Sequence, residues 1–214
     1  MRPPYLPYDR IRGIVDDFWA THCPGPPIPV PIENVIEQCL GLDIIPIPGL
    51  RDSLGRDGYL RLDRTGIAID SQLLEDRYLT RYNFTLAHEA GHLTMHAQVY
   101  EDLAQLSLDG WYDLHLYPTL DMAWFERHAD DFAGLVLVPT SLLLGQHLNG
   151  AVEAEGRDAI ETCLALGVSA EAALDMFSVK VCERLGRIFE AHATTVQIRL
   201  KREQRWPVLT PDDL

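Results

Sequence analysis

The chain has 214 residues, 47% of them hydrophobic, which is enough to bury one sizeable core, or one core with a small helical appendage. Its 18 Lys and Arg against 32 Asp and Glu give a net charge of −14, a poor balance for gripping phosphates, so direct nucleic-acid binding is not expected. The charge suits a basic protein partner or plain solubility, and no apolar run approaches the length of a membrane span.

The first residues, Met1-Arg2-Pro3-Pro4-Tyr5-Leu6-Pro7, contain no apolar stretch of signal-peptide length, which predicts a cytoplasmic protein. Cys23, Cys39, Cys163 and Cys182 are widely spread and form no C-x-x-C pair. Reduced, mostly buried thiols are expected rather than disulfides or a second metal site.

Ile11, Ile14, Val15, Phe18 and Trp19 fall at helical spacing and predict a first amphipathic helix that packs on a core. Residues 24–31, Pro-Gly-Pro-Pro-Ile-Pro-Val-Pro, form an extended connector that cannot be helical. Pro31 then opens a short helix through Cys39, with Gly41 as its stop. Leu42 to Ile47, Tyr59 to Leu62 and Ile67 to Ile69 read as short strands separated by the turns Arg56-Asp57-Gly58 and Thr65-Gly66. They predict a small sheet whose edge can pair with an extended substrate, although the exposed strand cannot be read from the residues.

The next segment holds the most informative motif, His88-Glu89-Ala90-Gly91-His92. Proline-free flanks predict a helix from Tyr82 to Ala97, with apolar residues on more than one face, as in a helix buried within its domain. Two histidines four apart lie one turn above each other, so both imidazoles reach one metal ion, and Glu89 lies where a general base takes a proton from water. Gly91 costs about 1 kcal/mol relative to alanine in a helix, which implies that a backbone or a substrate comes close there. His96 continues the row, but three successive turns of a straight helix cannot converge on one ion, so it is expected to pack or to support a ligand.

A site of this type needs a third protein ligand. The metzincin pattern requires glycine and histidine where this chain has Met95 and Gln98, which excludes that class. Residues 98–121 carry Tyr100, Trp111, Tyr112, His115, Tyr117 and Pro118 and are expected either to line the cleft or to pack as an ordinary connection. Beyond them, Glu126 and Asp130 share a helix face, so one can ligate the metal while the other hydrogen-bonds a ligand histidine from behind. Ala129 and Ala133 lie along nearly the same stripe and let this helix approach the His88 helix. Glu126 is the leading third ligand, with His115, His128 and Asp131 as rivals, and Pro139 ends the helix.

After Pro139 the pattern is helical, with segments at 141–148 and 157–166, a long one capped by Ser169, and a last one that starts at Thr194 or Thr195 and runs through Arg202. Arg187, Arg199, Lys201, Arg202 and Arg205 are read as a solvated basic face on packed helices. The expected organisation is a core over 1–140, with the first helix and the small sheet, and a C-terminal helical part over 141–214 packed on it.

HEAGHLTMH at 88–96, followed by ERHADDFAGLVLVP at 126–139, resembles the ImmA/IrrE family of metallopeptidases. The likeness extends upstream through Pro29 to Glu33 and Gly41 to Ile44, and is weaker after residue 140. The resemblance implies an α+β, zincin-like core with a small sheet on the HExxH helix and additional C-terminal helices. It implies Zn2+ as cofactor, with His88, His92 and Glu126 as metal ligands, Glu89 as catalytic base, and Asp130 behind a ligand histidine. It further implies cleavage of a helix-turn-helix transcriptional repressor that controls stress-response or mobile-element genes. The competing expectation is a binding module that keeps the metal fold and regulates a repressor or toxin partner by contact alone. The intact Glu89 argues against that, since a scaffold needs no base.

Overall fold

The computed structural model describes residues 5–25, 27–103, 122–145 and 150–210. The aromatic residues Trp111, Tyr112 and Tyr117, and with them His115 and Pro118, lie outside the described residues. The chain divides into two compact units, Met1–Leu137 and Val138–Leu214, and the architecture is α+β, mostly helical with one three-stranded sheet.

In the first unit, α1 (Tyr8–His22) buries Ile11, Val15, Phe18 and Trp19, the row its sequence predicts, while Ile14 is only half buried. A helical turn, α2 (Ile32–Asn34), opens after Pro31 and continues as a π-helical turn over Val35–Cys39. Gly41 follows in the left-handed region at φ 66°, a conformation glycine adopts at no steric cost. Strands β1 (Asp43–Ile47), β2 (Gly58–Leu60) and β3 (Gly66–Asp70) form the sheet in the order β1-β3-β2, with a short helix, α3 (Leu50–Leu54), after β1. β1 runs parallel to β3 with Ile45 opposite Ala68, and β2 runs antiparallel to it with Tyr59 opposite Ala68. β3 is buried along its whole length, as expected of a central strand.

The helix with the HExxH motif, α4 (Leu79–Met95), packs on β2 and β3 and against α6 (Met122–Leu137). A short helix, α5 (Ala97–Leu103), follows α4 directly. Buried residues of α4 include Tyr82, Thr85, Leu86, Ala87, Glu89, Ala90 and His92, which lie around more than one face, so α4 is an interior helix of its unit. Two glycines permit its close approaches. A Cβ at Gly91 would stand 3.1–3.2 Å from the Phe132 side chain on α6, and one at Gly58 would stand 2.7 Å from the Thr85 side chain and 2.8 Å from the Ala68 carbonyl oxygen. On α6 the facing stripe is Phe125, Ala129, Phe132, Ala133 and Val136, all buried.

The second unit contains α7 (Thr140–Gly145), α8 (Gly150–Ala165), α9 (Ala170–Phe189) and α10 (Ala193–Arg202). Residues 146–149, within the helix expected over 141–148, lie outside the described residues. Ser169 caps α9 through a hydrogen bond from Ala172 N. His192, rather than a threonine, caps α10 by accepting from Thr194 N.

Two expectations need correction here. Arg199 does not belong to a solvated basic face. It is 2% exposed, donating to the Val138 carbonyl, to Thr140 Oγ1 and, at 2.7 Å, to Glu203 Oε1. A buried guanidinium is tolerated because its donors are matched by fixed acceptors and one carboxylate. The thiols are free but not mostly buried. Only Cys182 is buried, while Cys39, at the end of the π-helical turn, is exposed, and Cys23 and Cys163 are intermediate. No helix among the described residues is long and apolar enough to cross a membrane.

Candidate metal centre

On α4, the His88 and His92 side chains point the same way one turn apart, and their Nε2 atoms lie 3.0 Å from each other. Glu126, from the first turns of α6, brings its Oε2 to 3.1 Å from His88 Nε2 and 3.7 Å from His92 Nε2. Three ligand atoms around a tetrahedral zinc with bonds near 2.0–2.1 Å stand about 3.3 Å apart. The spacing here fits such an ion without rearrangement, and these three residues form the metal-capable cluster found among the described residues. His115, a rival on sequence grounds, lies outside the described residues.

Asp130 lies one turn beyond Glu126 on α6, and His88 Nδ1 donates to its Oδ1 at 3.0 Å. That contact fixes the ring orientation of His88 and leaves Nε2 facing the centre. In the metal-free protein, burial alone would lower the His88 pKa, but the hydrogen bonds to Asp130 and Glu126 outweigh it and push the value up to about 10. Burial likewise works against an ionised Glu126. The hydrogen bonds from His88 and His92 override it and hold its carboxyl far below the usual range. His88 and Glu126 are therefore placed to form an ion pair between a histidinium and a carboxylate.

Glu89 is 5% exposed, and its Oε2 accepts from the Leu60 backbone N–H at 2.7 Å. β2 is an edge strand. Asp70 N donates to the Asp57 carbonyl and Arg61 N to the Gly66 carbonyl, so the alternate N–H of Leu60 points away from β3, towards α4. The Glu89 carboxylate is thus tied to the outer edge of β2, whose outward N–H it occupies.

Sequence reasoning missed two features of the site, and named a third, Tyr100, only as one aromatic residue of the segment 98–121. Arg56, in the turn before β2, donates through Nη1 to Glu126 Oε1 at 2.9 Å, leaving Oε2 as the oxygen that faces the histidines. Nothing in the Arg56-Asp57-Gly58 turn foretells this, because the partner is 70 residues away. Phe125 stacks on both His92 and His96, with centroids 4.1 and 4.3 Å away; its place one residue before the candidate ligand Glu126, on the face of Ala129, was a signal available in the sequence. Tyr100, on α5, is 5% exposed; burial, then the charges of Glu89 and Glu126, keep its phenol well above its ordinary pKa and so protonated.

His96 is 2% exposed and does not reach the centre; its Nδ1 lies 3.0 Å from His92 Nδ1. His128, another rival ligand, is 1% exposed and faces His96. Asp131 pairs with Arg127. Among known proteins, the family profile described as the IrrE N-terminal-like domain, of the M78 peptidases, matches residues 38–178, a span that includes every residue of the cluster. No curated protein matches the chain.

Proposed function

The chain belongs to the ImmA/IrrE family of M78 peptidases, and from that premise we propose that it is a zinc-dependent endopeptidase whose substrate is a helix-turn-helix transcriptional repressor. The observation that carries the metal part of this reading is the convergence of His88 Nε2, His92 Nε2 and Glu126 Oε2 within 3.0–3.7 Å. Their separations match what a tetrahedral ion requires. A zinc ion held there supplies Lewis acidity, polarising a peptide carbonyl and making water acidic enough to be deprotonated near neutral pH.

The chain's own residues do the rest. Glu89, buried beside His88, accepts the proton of the attacking water at a carboxylate oxygen and passes it to the leaving amine as the peptide bond breaks. Leu60 N–H holds that carboxylate in place before substrate arrives. Asp130 keeps the His88 ring turned so that Nε2 points inward.

A basic DNA-binding substrate suits the net charge of −14, because complementary charge raises the encounter rate. Derepression of stress-response or mobile-element genes is the consequence the family resemblance suggests. The test is Glu89→Gln. This variant retains zinc and loses cleavage of a repressor encoded in the same genome, as read by mass spectrometry of the products. Cleavage by the glutamine variant at the wild-type rate would remove Glu89 from the mechanism.

A further inference from the structure

Arg56, in the turn between α3 and β2, is a charged group at the centre to which the hydrolytic mechanism gives no part. Its Nη1 donates to Glu126 Oε1 at 2.9 Å, while Glu126 Oε2 stands 3.1 Å from His88 Nε2 and 3.7 Å from His92 Nε2. The carboxylate is thus divided, with one oxygen turned to the histidines and the other held by a guanidinium. Arginine keeps its charge at every pH a folded protein experiences, so this contact does not come and go with titration.

An ion pair whose side chains are 26% and 29% exposed ordinarily contributes little, because two flexible side chains must be held in one geometry. Here the turn itself does the holding. Asp57, the next residue, accepts from Arg51 Nη1 on α3 at 2.9 Å and from both Nε and Nη2 of Arg81 on α4. A two-point contact between an arginine and a carboxylate fixes orientation as well as position. The Asp57 carbonyl also accepts from Asp70 N at 2.8 Å, at the end of β3. The backbone that carries Arg56 is therefore fastened to α4, the helix of His88 and His92, while the Arg56 side chain reaches across to Glu126 on α6.

We propose that Arg56 is a positioning residue that restricts Glu126 to ligation through one oxygen and so keeps a coordination position open at the centre. This rests on the metal-centre reading above. A free carboxylate can offer a divalent ion one oxygen or both, since a small rotation about the last side-chain bond brings in the second. A hydrolytic zinc site needs three protein ligand atoms and an open position for water or the substrate carbonyl, and a second oxygen from Glu126 would occupy or crowd that position. Turning Oε1 towards the histidines would break its hydrogen bond to Arg56, and a charge-assisted bond of this kind is about twice as strong as a neutral one. Lysine would supply the charge without the planar, directional donor set, so it replaces arginine only in part.

The experiment loads the full-length wild type, Arg56→Met and Arg56→Lys with cobalt(II) and records visible absorption per bound ion, with elemental analysis counting the ion and circular dichroism checking the fold. Cobalt(II) accepts the same nitrogen and oxygen ligands as zinc, and its visible bands are strong in four-coordinate sites and weak in those of higher coordination. Methionine keeps an apolar stem and removes every donor. The expected result is strong bands in the wild type, loss of most of that intensity per ion in Arg56→Met, and partial recovery in Arg56→Lys. A contact that merely supports the fold would lower the amount of cobalt bound and leave the intensity per ion unchanged. Unchanged intensity per ion in Arg56→Met, or a wild type whose bands are already weak, would overturn the proposal and leave the metal centre standing. A folded wild type that takes up neither cobalt nor zinc would overturn the metal centre and the proposal together.

Discussion

Substituting Gly91 by alanine probes the closest approach in the first unit. A Cβ there would stand 3.1 Å from Phe132 Cδ1 and 3.2 Å from its Cβ and Cγ, where ordinary carbon contacts lie at about 3.5–4.0 Å. Phe132 cannot rotate away, because one of the crowded atoms is its own Cβ, and its ring is wholly buried and edge-on to Phe18 at 5.4 Å. Relief therefore requires α4 and α6 to separate by a few tenths of an ångström. Alanine gains about 1 kcal/mol of helix propensity, and overpacking a dense core costs about 1–3 kcal/mol, so the expected net loss is up to about 2 kcal/mol. The same displacement draws Glu126, on α6, away from His88 and His92, on α4, so zinc affinity falls together with stability. Urea denaturation of the metal-free protein, followed by far-UV circular dichroism, measures the first effect, and chelator competition measures the second. A Gly91→Ala protein as stable as the wild type, with unchanged zinc affinity, would refute the claim that this glycine sets the helix spacing.

Asp130→Ala removes the acceptor behind His88 Nδ1 and is expected to weaken zinc binding by about 10–100-fold while the fold persists, as measured by chelator competition. Zinc affinity should also depend on pH in a defined direction. In the metal-free protein His88 keeps its proton up to about pH 10, and Glu126 stays ionised because its pKa is lowered. Each zinc bound must then expel one proton from His88, so affinity rises about tenfold per pH unit and levels off above about 10. Calorimetry in buffers of different ionisation enthalpy counts that proton. In the absence of metal the raised His88 pKa has the opposite consequence: its contribution to stability is complete below the unfolded value of about 6.5 and is lost as pH rises through about 10. Chemical denaturation across that range reads the loss.

The local half of this architecture was legible because its chemistry repeats at helical and strand periods. His88 and His92 announce a shared helix face, Glu126 and Asp130 another, and the glycine-rich turns mark β2 and β3 to within a residue or two. Spacing combined with family resemblance assigned them to one centre, and the structure brings their side chains together. What escaped were pairings between residues distant in sequence. The contact from Leu6 to His128 spans 122 residues, and that from Arg56 to Glu126 spans 70, and no periodicity reports either. Gly91 was legible as a point of close approach, but not as one made by Phe132. Arg199 looked like a surface cation because charge alone does not reveal that Val138, Thr140 and Glu203 supply an acceptor to each of its three guanidinium nitrogens. The π-helical turn at Val35–Cys39 likewise has no signature that separates it from an ordinary short helix.

The account stands or falls on whether His88, His92 and Glu126 hold a metal. Elemental analysis of the full-length protein after zinc reconstitution and removal of free ion, for the wild type, Glu89→Gln, His92→Ala and Glu126→Ala, tests this directly. The account predicts about one zinc per chain in the wild type and Glu89→Gln, with zinc lost from the His92 and Glu126 variants. A folded wild type without zinc, or zinc retained in full by both ligand variants, would contradict it.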